Sequence, residues 1–199
     1  SLLSLFDLET LMECINTSFQ IAEDAEITLE ANPGDLSLEK LKGYSPLGIN
    51  RLSIGVQSLD DPLLKVLGRR HTAADAINAY QRARDVGLNN ISLDFIYGVS
   101  HQSLSTWIRT IEQAITLAPD HLSLYALTIE PNTPMEEWVN QGILPEPDPD
   151  IAADMFLEAS ALLTQAEYQH YEISNWAKYD HHSRHNTTYW KNFPYLGVG

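Results

Sequence analysis

The sequence predicts an α/β fold built on a parallel sheet, either doubly wound or curled into a barrel. Segments typical of buried strands alternate along the chain with segments whose apolar residues recur at helical spacing. This alternation is the signature of right-handed βαβ units. Charged or amide side chains also stand where the apolar pattern of several strands stops, which is where parallel sheets and barrels place ligand sites.

Each strand of the predicted sheet is followed by a segment with helical character. Apolar runs predict strands over residues 27–29, 49–56, 91–96 and 121–129. Apolar residues three and four positions apart predict helices over residues 8–19, 60–66, 73–86 and 103–117, and Ser37 opens a further short helix. The fold class follows from this order of elements.

A change of composition divides the chain into two regions. Three prolines fall within residues 144–151, and proline-rich stretches are typical of domain boundaries. We therefore assign residues 1–147 to the sheet-forming domain and residues 148–199 to the beginning of a smaller C-terminal α+β region. That region contains a predicted helix over residues 151–166 and a β-type run over residues 168–177.

The composition excludes several classes of protein. The formal net charge is −15 and the pI is about 4.6; since nucleic-acid binding requires clustered Lys and Arg, we expect no nucleic-acid partner. Cys14 is the single cysteine, so no disulfide framework can form. No run approaches the ~20 apolar residues that cross a bilayer, and no basic leader precedes an apolar stretch. We expect a cytoplasmic protein.

Two candidate site residues end the first two strands. Glu30 follows an apolar run, where its carboxylate could accept hydrogen bonds from the hydroxyls of a ribose or bind an ammonium group. Equally, Glu30 could cap the following turn. Gln57 stands two residues after Gly55, whose missing side chain would let a ligand approach the backbone. The alternative for Gln57 is that its amide bonds to neighbouring backbone.

Two further candidates are charged. Arg69 lies in a basic turn between two helices, where it could clamp a carboxylate or remain solvated. Asp94 is flanked by Leu93 and Phe95 within an apolar strand. A charge in that position must be paired, hydrogen-bonded or directed at a site, so Asp94 is the stronger functional candidate.

Several long segments together resemble a known family. They are GINRLSIGVQSLDDPLLKVLGRRHT, DFIYGVS, LEANPG and LSLYALTIEPNTP. They resemble the oxygen-independent coproporphyrinogen III oxidase family of radical S-adenosylmethionine (SAM) proteins, and the resemblance runs from about residue 27 to residue 199. Within that family the tail YEISNWAKYDHHSRHNTTYW is similar to the heme chaperone branch, whose members carry HNxxYW.

The resemblance implies a fold and two ligand sites. The fold is part of a radical SAM (β/α)6 partial TIM barrel, followed by the start of a smaller C-terminal α+β region. The implied SAM-binding residues, at the top of the barrel, are Glu30, Gln57, Arg69, Asp94 and Thr128.

The implied heme-binding residue is His185, with Tyr189 and Trp190 as ring contacts. Imidazole is a usual axial ligand of heme iron. From the residues alone, His181, His182 and His185 could equally form a solvated loop or bind an adventitious metal ion.

The sequence departs from the family at the iron–sulfur cluster. Relatives hold a 4Fe–4S cluster with CxxxCxxC, followed by a glycine-rich turn, and neither motif is present here. One cysteine cannot supply the thiolates of a cubane, and Cys14 is predicted to be a small buried residue in an amphipathic helix. We therefore expect the cluster ligands to lie outside this chain and the chain to be an internal fragment, unable to cleave SAM alone and prone to self-association through an exposed sheet edge.

Three functions are consistent with these residues. The leading prediction is a heme chaperone that binds heme and passes it to apoproteins, membrane-associated recipients among them, with SAM and a 4Fe–4S cluster as further cofactors. The alternative is an oxidase that decarboxylates the propionates of coproporphyrinogen III. A third is a cofactor-free TIM-barrel hydrolase or aldolase with Asp94 and Glu30 as acid and base, although no nucleophile, Schiff-base lysine or phosphate loop supports it.

Overall fold

The computed structural model describes residues 3–198. Its strands are β1 (Thr28–Ala31), β2 (Arg51–Gln57), β3 (Ile91–Tyr97), β4 (His121–Ala126), β5 (Gln169–Glu172) and β6 (Asn175–Ala177). Its helices are α1 (Leu5–Ser18), α2 (Leu38–Tyr44), α3 (Asp61–Val66), α4 (Ala73–Asp85), α5 (Leu104–Leu117), α6 (Pro134–Asn140), α7 (Pro149–Gln165) and α8 (Arg184–Trp190). Short 3₁₀ turns cover Pro33–Asp35 and Ser45–Leu47.

The strands form one six-stranded sheet in the order β1-β2-β3-β4-β6-β5. The first four strands are parallel to their neighbours, whereas β6 runs antiparallel to β4 and β5 antiparallel to β6. The α/β fold with a parallel sheet is therefore confirmed, with the four predicted strands in chain order. The β-type run after α7 is a hairpin that extends this same sheet.

The two faces of the sheet differ sharply in polarity. Successive side chains of a strand point to opposite faces. One face carries buried apolar side chains, namely Leu52, Ile54, Val56, Leu93, Phe95, Leu122 and Leu124. The other carries Arg51, Ser53, Ser92, Asp94, His121 and Ser123, which the strand register brings side by side. The helices pack on the apolar face, so the polar face is left for a site.

The connecting helices begin at residues that stabilise their first turns. The side chains of Ser37, Asp60, Thr72 and Ser103 each accept a hydrogen bond from the backbone N–H three residues later. Such caps satisfy donors that a helix leaves unpaired and contribute about 1 kcal/mol each. They fix where each helix starts and therefore where the loop before it ends.

Residues after the predicted boundary pack directly on the sheet-forming domain. Helix α7 lies against α5, where the buried Trp107 donates from Nε1 to the backbone carbonyl of Met155 at 2.8 Å. In the sheet, His121 of β4 is aligned with Ala177 of β6. The division at residues 147 and 148 stays a prediction.

The prediction that Cys14 is buried is wrong. Cys14 is an exposed thiol on α1, because that helix turns Leu8 towards the core and leaves the opposite side in solvent. The same helix exposes Phe6 and Leu11, and β1 has β2 as its one neighbour in the described sheet. Self-association stays a prediction. No helix within residues 3–198 combines the length and apolar composition needed to cross a membrane.

Candidate functional site

A cavity of about 400 Å³ lies over the polar face and the carboxyl ends of the parallel strands. Four of the five predicted SAM-binding residues line it: Glu30, Gln57, Asp94 and Thr128. The remaining lining residues are Arg51, Ser53, Ile96, Ser123, Tyr125, Ala126, Leu127 and Asn186. The structure therefore brings residues that are nearly 100 positions apart in the chain into one polar site.

Asp94 is held in the wall of this cavity by two serine hydroxyls. Ser53 Oγ donates to Asp94 Oδ2 at 2.7 Å, and Ser92 Oγ donates to Asp94 Oδ1 at 2.9 Å. Burial raises the pKa of Asp94 above its ordinary value, while the serine hydrogen bonds and the charge of Arg51 oppose that rise. The carboxylate thus has a fixed orientation and keeps lone pairs free for a ligand.

A chain of hydrogen bonds runs from Asp94 to the start of α8. Because the Ser92 hydroxyl donates to Asp94, His121 Nδ1 must donate to Ser92 Oγ, 2.8 Å away. His121 Nε2 then accepts from the Tyr171 hydroxyl at 2.7 Å. The Tyr171 oxygen accepts in turn from the backbone N–H of Ser183, the N-cap of α8, at 3.3 Å. The polar face is therefore connected to the helix that carries His185.

Burial keeps His121 neutral in this chain. Desolvation places the pKa of His121 well below its ordinary value, and the neighbouring positive charge of Arg51 lowers it further. Burial also raises the pKa of Tyr171 to about 12, so its hydroxyl remains a donor. Both groups are neutral near pH 7, as the direction of the hydrogen bonds requires.

We expect the stability of the protein to fall on acidification because of His121. In the unfolded chain a histidine binds a proton near pH 6.5, whereas folded His121 does so only at much lower pH, so protons favour the unfolded state below about 6.5. From pH 7 to pH 5 this one group costs up to about 2 kcal/mol. Urea unfolding at both pH values should show a smaller loss in His121→Gln than in wild type.

The exposed His101 supplies the matched control for that measurement. His101→Gln should retain the wild-type pH dependence. The raised pKa of Asp94 has the opposite effect. Because folded Asp94 binds its proton at a higher pH than the unfolded chain does, the free energy of unfolding increases as the pH falls through the folded pKa. An equal loss in wild type and His121→Gln would contradict the assignment of the effect to His121.

Gln57 adopts a strained backbone at the end of β2. Its φ angle is +67°, and the N–H of Ser58 donates to the carbonyl of Val56 at 2.8 Å across it. This is a γ-turn of the rare kind, which persists when the surrounding structure enforces it, often at functional sites. A Cβ on Gly55 would lie 2.7 Å from Gln57 Nε2. Gly55 therefore makes room for the Gln57 amide.

Arg69 does not join the other predicted SAM-binding residues in the cavity. It lines a separate cavity of about 430 Å³, together with Asn32, Asp35, Arg70 and His71 among others. Its Nε is buried and has no hydrogen-bond partner, while the neighbouring His71 donates from Nε2 to the carbonyl of Val56 at 3.0 Å. A role for Arg69 in binding SAM stays a prediction.

His185 lies in a second cavity that adjoins the first. This cavity has a volume of about 340 Å³, and Glu30, Arg51 and Asn186 line both. On α8 the rings of His185 and Tyr189 meet edge to face, 4.8 Å between centroids. Trp190 is 56% exposed at the end of the helix and lines neither cavity.

The other two histidines of the tail have different surroundings. His182 stacks on Tyr171 and bonds to Gln169 Oε1 at 3.0 Å, whereas His181 has a buried Nδ1 without a partner. Within residues 3–198 no three His, Cys, Asp or Glu side chains form a group that could hold a metal ion. These residues therefore do not fit a 4Fe–4S cluster.

Several residues of the polar face were not anticipated from the sequence, namely Arg51, Ser53, Ser92, His121 and Ser123. Their signal is the alternation of polar and apolar residues in RLSIGVQ, ISLDFIY and HLSLYA. A parallel sheet covered on both faces carries nearly continuous apolar runs. Alternation in three consecutive parallel strands therefore indicates a polar interior face.

A parallel sheet with carboxylates and an amide around one cavity at its strand ends is typical of α/β proteins that bind a polar small molecule. Residues 2–114 match the model of the Radical SAM superfamily, and the chain belongs to this superfamily. The predicted radical SAM resemblance is confirmed, and membership implies SAM and a 4Fe–4S cluster as the cofactors of the family.

Comparison with individual proteins shows more specific similarities than the superfamily does. The chain is 40% identical to the heme chaperone HemW of Synechocystis sp. over all of its length and 48% of that protein. It is 42% identical to the heme chaperone HemW of Escherichia coli, of which it covers 52%. Coproporphyrinogen III oxidase (HemN) from Escherichia coli has a similar structure, with a TM-score of 0.80, 26% identity, and coverage of 95% of this chain and 43% of that one. The chain spans about half the length of the curated relatives it matches.

Proposed function

We propose that the full-length protein is a radical SAM heme chaperone, which binds heme and transfers it to apoproteins. The observation that carries this proposal is the junction of two cavities, one lined by Gln57 and Asp94 and the other by His185. Relatives named as heme chaperones match the whole of the chain. A cytoplasmic location, apoprotein recipients and the absence of a nucleic-acid partner are parts of the same proposal.

The residues of the first cavity fit SAM by their chemistry. The Glu30 and Asp94 carboxylates can accept hydrogen bonds from the ribose hydroxyls or from the methionine ammonium group. The Gln57 amide can both donate and accept hydrogen bonds. Asp94 is fixed by two serines and Gln57 by its turn, so little ordering is needed on binding. SAM supplies radical chemistry in proteins of this kind when it is combined with an iron–sulfur cluster.

The surroundings of His185 suit a macrocycle that is bound and later released. Its imidazole is exposed, with the ring of Tyr189 edge-on beside it, and imidazole is a usual axial ligand of heme iron. Tyr189 and Trp190 present exposed aromatic surface on the same helix. An exposed ligand lets a receiving apoprotein approach the iron, which a deeply buried one would prevent.

An oxidase that decarboxylates coproporphyrinogen III is the second candidate, because the structure resembles the HemN oxidase over nearly the whole chain. The chaperone is preferred because the heme chaperones of Synechocystis sp. and Escherichia coli are 40% and 42% identical to this chain over the aligned residues, whereas the oxidase is 26% identical. Membership in the Radical SAM superfamily removes the basis for a cofactor-free hydrolase or aldolase.

A heme titration of the full-length protein tests the proposal. We expect His185→Ala to lower heme affinity at least about tenfold, since an iron–imidazole bond is lost, and to change the Soret band. His101→Ala, on an exposed turn, is the matched control and should bind heme normally. Unchanged affinity and spectrum in His185→Ala would remove His185 as the ligand. Conversion of coproporphyrinogen to protoporphyrinogen by the wild type would favour the oxidase instead.

A further inference from the structure

Arg51 is a buried cation that forms no ion pair in the described part of the chain, although its positive charge is close enough to lower the pKa of Asp94. Arg51 opens β2 and is 4% exposed. Its Nε has no hydrogen-bond partner, and it belongs to neither ion pair formed within residues 3–198, which are Arg84–Asp120 and Arg184–Asp24. Burying a charge is costly unless it is paired and hydrogen-bonded. Arg51 lies on the polar face of the sheet, and among the described residues its desolvation is not offset by an ion pair or by a hydrogen bond from Nε. It is therefore a candidate for binding a ligand.

The position of Arg51 identifies what it can reach. It lines both the cavity of Asp94 and the cavity of His185, and it is one of three residues that do so. Because the guanidinium is a planar fork of N–H donors, it matches a carboxylate with two parallel hydrogen bonds. Glu30 and Asp94 line the same space, and their negative charges disfavour a dianionic phosphate relative to a singly charged carboxylate.

We infer that Arg51 is the anchor for a carboxylate of the ligand bound at the junction of the two cavities. This inference rests on the proposed function for the identity of the ligand. SAM carries one α-carboxylate and heme carries two propionates, so the same subsite can serve either. Arg51 thereby supplies, inside the cavity, the cation that the placement of Arg69 leaves out.

The test compares ligands with and without their carboxylates on the full-length protein with its cluster. The pairs are heme with its dimethyl ester, and SAM with decarboxylated SAM. We expect Arg51→Met to weaken binding of the acid form in at least one pair by about 10- to 100-fold, since charge-assisted hydrogen bonds are lost. The form of that pair that lacks the carboxylate should bind wild type and Arg51→Met with similar affinity. The exposed Arg109, as Arg109→Met, is the matched control.

Each outcome decides the inference. A selective effect on the heme pair assigns the subsite to a propionate, and one on the SAM pair assigns it to the α-carboxylate. If wild type binds no heme, the proposed function fails while the SAM pair still tests Arg51. Equal affinities for all ligands in both proteins, or equal losses for the forms with and without the carboxylate, would overturn the inference.

Discussion

Asp94→Asn is expected to lower the affinity of the full-length protein for SAM by about 10- to 100-fold, because a charge-assisted acceptor becomes a neutral amide. The two carboxylate oxygens of Asp94 accept from two different serines, Ser53 and Ser92. An asparagine offers one oxygen, so its NH₂ group must face one of those hydroxyls and turn it away. The side chain then loses both its charge and its fixed orientation, and isothermal titration with SAM measures the loss.

The fold should tolerate Asp94→Asn. Burial already raises the pKa of Asp94, so removing the charge relieves a desolvation cost that offsets the weakened hydrogen bond. Asp85→Asn, at the exposed end of α4, is the matched control and should bind SAM as wild type does. Wild-type SAM affinity in Asp94→Asn would show that the carboxylate does not contact the ligand. A large fall in Tm would show a structural role instead.

Asp94 also illustrates how far the sequence alone could lead. A charge between Leu93 and Phe95 requires a compensating environment, whatever the fold, so its importance follows from local pattern. The residues that form that environment cannot be predicted from the local pattern. Ser92 and His121 are 29 positions apart and meet only because β3 and β4 are aligned in the sheet. The alternating pattern predicts that their side chains share a face, but not which pairs come into contact.

The fold class was predictable because it depends on repeated local signals. Strand runs, helix caps and the proline-rich stretch each act within a few residues, and they agree with one another. Arg69 and Cys14 show where such signals fail. Cys14 belongs to an amphipathic helix, but which side of α1 packs on the rest of the protein depends on partners distant in sequence. Arg69 is in a loop whose direction is set by tertiary contacts, and its side chain lines a different cavity.

The polar face also explains how the two proposed ligand sites would share one sheet. Glu30 and Asn186 belong to both cavities, although β1 and α8 lie at opposite ends of the chain. The hydrogen bonds from Asp94 through His121 and Tyr171 end at the N-cap of α8. A ligand that changed the charge or position of Asp94 would therefore act on groups that orient the start of the helix bearing His185. Coupling of the two sites requires no contact between the ligands.

Trp107→Ala is expected to cost about 3–5 kcal/mol of the free energy of unfolding, the range for removal of a buried tryptophan. Trp107 is fully buried, its ring lies 5.5 Å from that of Tyr97, and Nε1 donates to the carbonyl of Met155. The substitution removes the indole from between α5, the sheet and α7. Since domains of this size are stable by about 5–15 kcal/mol, urea unfolding should show a large shift in midpoint.

The same variant tests whether residues 148–199 form an independent unit. Since α7 packs on Trp107 and β6 pairs with β4, we expect hydrogen exchange to accelerate together in α5, α7 and β6 when Trp107 is removed. Trp107→Phe, which keeps most of the ring but not the N–H, is the control and should lose much less protection. If α7 and β6 keep wild-type protection in Trp107→Ala while α5 loses it, the two regions are separately stable. In that case the packing between α5 and α7 contributes little to the cooperativity of the fold.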